Sequence, residues 1–284
     1  MSHIGNKMIW NILKDKTKDE GIPLQTVVGE ALHLVVLDTV FSAPESSTIC
    51  LQGGTSIHLL YGGYRYSEDL GFAGKEIDFQ SSGKLMDRTK PGIEKNITQL
   101  LGTGQFRWRL PSAETKHPIY TYWMSFEPRE SRQSYRVKME FAGYPVYQRK
   151  VMPLKSDMDV LERRPLVMGL TVSELIAEKV TAVAGRPYLK GRDLFDLWYL
   201  TEVMGGAIDK YLVEKKFHDY HISRPRLDIK KKTDDIDKKA LEREMSRFLP
   251  QRYRRMLSGS GYKVILDTAL SVLSSAVGLL HSHE

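Results

Sequence analysis

A glycine pair, a hydroxyl pair and a carboxylate (Gly53-Gly54, Thr55-Ser56 and Asp69) lie within the stretch Leu51–Gly74, "LQGGTSIHLLYGGYRYSEDLGFAG". Gly53 and Gly54 let the backbone come close to a ligand, and Thr55 and Ser56 open the helix that the apolar residues after them predict. The first N–H groups of a helix lack partners within it and favour an anion. A strand, a Gly-Gly turn and such a helix can therefore cradle phosphate. Asp69 follows on a second short strand, with Leu70 and Phe72 on one face and Asp69 and Gly71 on the other. A carboxylate beside that cradle suits Mg²⁺, which takes oxygen ligands and bridges to substrate phosphates. Taken alone, a Gly-Gly turn marks only a tight turn.

Charges also turn inward on two later helices. Thr171 and Glu174 form a capping box that starts a helix over Val172–Ala184. At 100° per residue Val172, Leu175, Ile176, Val180 and Val183 share one arc. Lys179 falls near the middle of that arc, while Glu174, Glu178 and Thr181 point away. In "RDLFDLWYLTEVM" the apolar arc holds Leu197, Leu200, Val203 and Met204, with Asp193 inside it and Asp196 at its edge. Buried charges are rare unless paired or bound to a ligand. Bland alternatives stand beside this: a snorkelling lysine, an acid favoured by the helix dipole, or a plain Arg192–Asp196 pair one turn apart.

The elements that must position these residues form an α+β chain, with a mixed sheet and helices first and a mainly helical part second. Gln25–Phe41 is a helix under the core, and "SSTICLQGG" is a strand running into the glycine turn. In "SYRVKMEFAGYPVY" Tyr135, Val137, Met139 and Phe141 take one face, and Arg136, Lys138 and Glu140 the other. The boundary near residues 155 to 168 gives expected domains 1–160 and 161–284, the second completing the active site. Of 284 residues, 41% are hydrophobic and 27% charged, an ordinary globular balance. The lack of a long apolar run or a secretory leader, with Cys50 as the single cysteine, points to a cytoplasmic protein without membrane or disulfide framework. Cys50 itself reads as a small core hydrophobe. The net charge of +7, concentrated late in "DIKKKTDD" and "RFLPQRYRRML", permits a nucleic-acid partner and equally fits a solvated helix face. His58 reads as packed or capping, and His117, His218 and His221 show no ligand spacing, so no zinc is expected.

The whole string resembles the AbiEii/AbiGii toxin family of nucleotidyltransferases, which includes MenT-like type IV toxins and shares the DNA polymerase β-like fold. The family pattern runs Gly-Gly-Thr, an apolar helix, Gly-His-Arg, a Ser, then Asp-Leu-Asp-Phe. This chain has Gly53-Gly54-Thr55, the helix Ser56 to Tyr61, Gly63-Tyr64-Arg65, Ser67 and Asp69-Leu70-Gly71-Phe72. The likeness resumes at "EKVTAVAGRPYLKGRDLFDLWYL", where the family has Glu-Lys and then Arg-Asp-x-x-Asp-Leu. It implies transfer of a nucleotide from a nucleoside triphosphate to an RNA acceptor, in particular the tRNA 3′ end, which blocks translation. It also implies Mg²⁺ or Mn²⁺ and a separately encoded antitoxin. On this resemblance Gly53, Gly54, Thr55, Ser56 and Arg65 hold phosphate and Asp69 holds metal. Lys179 neutralises the triphosphate, and Asp193 orients that lysine or the acceptor. Glu140, flanked by Met139 and Phe141, has the form of the fold's third carboxylate and of a solvated strand residue alike.

One departure matters. In-line transfer commonly uses carboxylates to hold two metal ions, and Gly71 stands where the family has its second Asp. A single ion held by Asp69 and Glu140 is one answer. An offset acid, Glu68 or Asp78, is another, although Glu68 alternates to the wrong strand face. The third is a disabled site. Two rival functions follow: a transferase for a small hydroxylated molecule with an acidic pocket, and a silent protein of the same fold that only binds.

Overall fold

Alternation along the strands becomes the two faces of one sheet. The computed structural model describes residues 3–129, 133–222 and 238–281, so "DIKKKTDD" lies outside the described residues. The chain divides into two compact units, Met1–Gly169 and Leu170–Glu284. The first holds helices α1 (His3–Glu20), α2 (Leu24–Phe41), α3 (Gly53–Tyr61) and α4 (Phe79–Leu101). Its strands are β1 (Cys50–Gln52), β2 (Asp69–Ala73), β3 (Gly104–Arg109), β4 (Ile119–Pro128), β5 (Tyr135–Ala142), β6 (Arg149–Pro153) and β7 (Leu166–Leu170). They form one seven-stranded mixed sheet in the order β3-β4-β5-β2-β1-β7-β6. The parallel pairs are β2 with β5 and β1 with β7; β1–β2, β3–β4 and β4–β5 are antiparallel. Because β7 pairs with β1 through Gly169 and Leu51, the first unit runs on into that strand as far as Gly169.

One face of the sheet is apolar and buried. Leu70 and Phe72 of β2 join Val137, Met139 and Phe141 of β5, with Phe72 and Phe141 stacked at 4.7 Å between ring centres. Helices α1, α2 and α4 pack on one another, and Phe41 of α2 meets Phe72. Helix α2 is more apolar than the sequence reading allowed, with mean hydropathy 1.4 over 18 residues. By length and composition alone it could cross a membrane. Here it is a core helix, and it buries Glu30 and His33 among its apolar residues.

The second unit is helical: α5 (Val172–Gly185), α6 (Gly191–Trp198), α7 (Lys210–Asp219), α8 (Lys238–Met245), α9 (Gln251–Leu257) and α10 (Gly261–His281). Thr171 caps α5 by accepting from Glu174 N at 3.3 Å. Two expectations change here. Glu174 and Thr181 do not face water; both are buried, because α7 packs on that side of α5 and brings Lys216 to Glu174. Val203 is exposed, because α6 widens into a π-helical turn at Tyr199–Val203 and the 100° spacing that placed it in the core arc no longer applies.

Candidate active site

The glycine turn is built by close approach. Gly53 has φ +75°, a left-handed conformation that disfavours any side chain, and it starts α3 directly from β1. At Gly54 a Cβ would overlap the Arg65 guanidinium and lie 3.0 Å from Ser67 Oγ. Arg65 is buried and donates to Tyr66 O at 3.0 Å, so its guanidinium braces the turn. Thr55 Oγ1 donates to Asp69 O at 2.5 Å, which ties the first turn of α3 to β2. Ser56 Oγ is buried and, among the described residues, has no hydrogen-bond partner. Leaving such a hydroxyl unsatisfied costs about 1–3 kcal/mol.

The far end of α3 is anchored as well. Gly62, at φ 75°, closes the helix, as its place after the apolar run predicts. His58 bridges Gly63 O at 2.7 Å and the buried Glu30 carboxylate at 2.8 Å, so it is a packed, positioning residue. Burial opposes charge on His58, but the Glu30 carboxylate and the Gly63 carbonyl outweigh it and raise the imidazole above its usual pKa. Burial likewise opposes ionisation of Glu30, and the charge and hydrogen bond of His58 outweigh it, with help from Lys16 and Ser156; that carboxyl is held below the usual range.

The second face of the sheet carries the carboxylates. Parallel register sets Asp69 opposite Lys138 and Gly71 opposite Glu140. Lys138 Nζ lies 2.7 Å from Glu140 Oε1 and 3.9 Å from Asp69 Oδ2, so both carboxylates face one ammonium. The structure thus brings Asp69 and Glu140 together and adds Lys138, whose part the sequence reading missed. A Cβ at Gly71 would stand 3.3 Å from Gln52 Cγ and 3.4 Å from Gln52 O, a tight contact that the Gln52 side chain would have to ease. Neither offset acid takes that place. Asp78 caps α4 by accepting from Ser81 N at 2.6 Å, and that bond holds its carboxyl below the usual range. Glu68 is exposed, and its carbonyl faces the His33 ring at 3.2 Å. This face offers two hard oxygen donors of the kind Mg²⁺ takes, with an ammonium between them; no group of three or more such side chains that could hold a metal ion forms among the described residues.

In the second unit Lys179 and Asp193 meet. Lys179 Nζ lies 2.9 Å from Asp193 Oδ1 and 2.6 Å from Asp196 Oδ2, and all three residues are buried. Arg186, also missed by the sequence reading, pairs with the other oxygen of Asp193. Arg192 reaches Glu244, 3.6 Å away on α8. Asp196, expected at the edge of the apolar arc, is buried and partners Lys179 as closely as Asp193 does. Its position one turn after Asp193 was the available signal.

Comparison with known proteins fits this geometry. The family model for the AbiEii nucleotidyl transferase toxins of type IV toxin–antitoxin systems matches residues 36–272. JHP933 from Helicobacter pylori superposes with a TM-score of 0.50 at 18% identity, covering 92% of this chain and 93% of that one. The nucleotidyltransferase toxin MenT4 from Mycobacterium tuberculosis H37Rv gives 0.51 at 14% identity, covering 94% and 98%. At such identities these two structures support the fold alone. No curated protein sequence matches the chain. With a phosphate-type glycine turn, a carboxylate face and a match over most of its length, the chain belongs to the AbiEii family and is a nucleotidyltransferase of the toxin–antitoxin type.

Proposed function

We propose that this enzyme transfers a nucleotide from a nucleoside triphosphate to an RNA 3′ end, in particular that of tRNA, in the cytoplasm. The reading rests above all on the turn at Gly53–Ser56. It couples a left-handed glycine and an orphaned Ser56 hydroxyl to Asp69 through the Thr55 bond. A phosphate oxygen arriving at this helix N-terminus would meet free N–H groups and satisfy that hydroxyl. In the reaction the acceptor's 3′-hydroxyl oxygen forms a bond to the α-phosphorus, the bond from α-phosphorus to the bridging oxygen breaks, and pyrophosphate leaves. The hydroxyl proton passes to solvent. Asp69 and Glu140 would hold Mg²⁺ or Mn²⁺, which offsets charge on the reacting phosphate oxygens. Lys179, held by Asp193 and Asp196, neutralises the triphosphate, and Arg65 keeps the turn in shape. An RNA acceptor suits the net charge of +7 and the exposed Arg252 and Arg255 on α9. A cognate antitoxin would restrain the enzyme.

Gly71 supports a second reading, in which the same fold binds nucleotide without turning it over. One assay separates the two: total tRNA, Mg²⁺ and each α-labelled nucleoside triphosphate, with the protein as it stands, Gly71→Asp and Asp69→Asn. Label in RNA from the unaltered protein, lowered about a thousandfold in Asp69→Asn, is the expected result. Label from Gly71→Asp alone identifies a disabled transferase. No label from any folded variant overturns the tRNA reading.

A further inference from the structure

The sheet face carries a cation that the family pattern does not mention. Along the β2–β5 register its four positions are Asp69, Lys138, the bare Gly71 and Glu140. A carboxylate at position 71 would make three negative charges and invite two divalent ions. With glycine there, the face holds two carboxylates and one ammonium. Lys138 is fixed in place from three sides: Glu140 at 2.7 Å, Asp69 at 3.9 Å, and the Trp123 ring of β4, whose centroid is 5.6 Å from Nζ. The contact to Glu140 is close and that to Asp69 is long, so an ion arriving at Asp69 meets a neighbour already neutralised.

We propose that Lys138 is a resident cation of this face, which takes the electrostatic place of a second metal ion and limits the site to one divalent ion. This deepens the proposed nucleotidyl-transfer reading and rests on it for what that ion does. Lys138 then acts as a positioning residue: it fixes Glu140 and sets how strongly the pair of carboxylates attracts a divalent ion.

The test uses the full chain without nucleotide, with Mn²⁺ alone as the probe, followed by electron paramagnetic resonance of the free ion and by calorimetry. The unaltered protein is expected to take up no more than one ion. Lys138→Gln should bind Mn²⁺ about tenfold more tightly or take up a second ion, since removal of a unit positive charge a few ångströms away strengthens a partly solvated site by about that factor. Lys138→Arg should behave like the unaltered protein, and Asp69→Asn added to Lys138→Gln should abolish the gain. Equal affinity and stoichiometry in the unaltered protein and Lys138→Gln would overturn the proposal. So would a gain that survives Asp69→Asn, or no binding by either protein. Because no nucleotide is present, an inactive transferase leaves this result intact, and a failed metal response leaves the transfer assay to stand by itself.

Discussion

Lysines between paired carboxylates occur in both units, in opposite surroundings. Lys216 of α7 lies 2.8 Å from Glu174 and 2.6 Å from Glu178, and the Lys216 and Glu174 side chains are 0% exposed. Lys138 of β5 sits between Asp69 and Glu140, whose side chains are 45% and 36% exposed. Burial opposes charge on Lys216, yet the attraction of Glu178 and Glu174 outweighs it and raises the ammonium above its usual pKa. The same chemical trio is thus a fixed brace in one place and an accessible one in the other. Water is what differs. Where water is excluded, no other cation can compete for the carboxylates; where it enters, an ammonium and a metal ion can trade places.

The largest expected effect breaks the buried trio. Lys216→Met leaves two carboxylates without their cation and should lower stability by about 3–5 kcal/mol, read as a shift in the denaturant midpoint at unchanged slope. A loss below about 1 kcal/mol would erase the contrast with the open trio. Next comes the turn. Gly53→Ala forces a side chain into φ +75° and should cost about 1–2 kcal/mol, and calorimetry with a non-hydrolysable nucleoside triphosphate should show weakened binding.

A pH scan sharpens the comparison with a third buried charge pair. The raised pKa of His58 makes its ion pair with Glu30 a source of stability that is complete below pH 6.5 and lost as pH rises through the folded value. The lowered pKa of Glu30 acts at the other limb, with stability present above pH 4.5 and lost on acidification. His33, which burial pushes down to about 4, adds to the acid limb between pH 6.5 and that value. Thermal melts of His58→Gln should therefore lose the decline above pH 6.5 and keep a decline in acid. The smallest effect belongs to the open trio: Lys138→Gln should change stability by less than about 1 kcal/mol, measured in the same melts.

Local patterns carried much of this into the sequence. Strand alternation placed Asp69 with Gly71 and Glu140 with Lys138 on one face, because a period of two needs no knowledge of partners. The glycine turn was legible for the same reason. The inward set of Lys179 and Asp193 followed from helical angles alone, and the structure pairs them. Glu174 was misjudged because its partner, Lys216, arrives on a helix whose packing no local pattern reveals. Lys138 read only as part of a polar strand face, and Arg186 drew no reading at all, because strand register and helix packing supply their carboxylates. Glu30 could not be foreseen as charged inside α2, since an apolar helix hides the histidine that keeps it ionised.

The parallel pairing of β2 with β5 has a consequence in time. Asp69 and Glu140 lie on strands separated in the chain by α4, β3 and β4, and parallel neighbours can pair only after such a crossover has formed. Contacts of this long range come late in folding. During synthesis the ribosome releases the glycine turn and Asp69 well before Glu140 and Lys138, so a nascent chain carries half of its carboxylate face. If Asp69 and Glu140 act together as proposed, transfer waits until β5 has emerged and paired with β2.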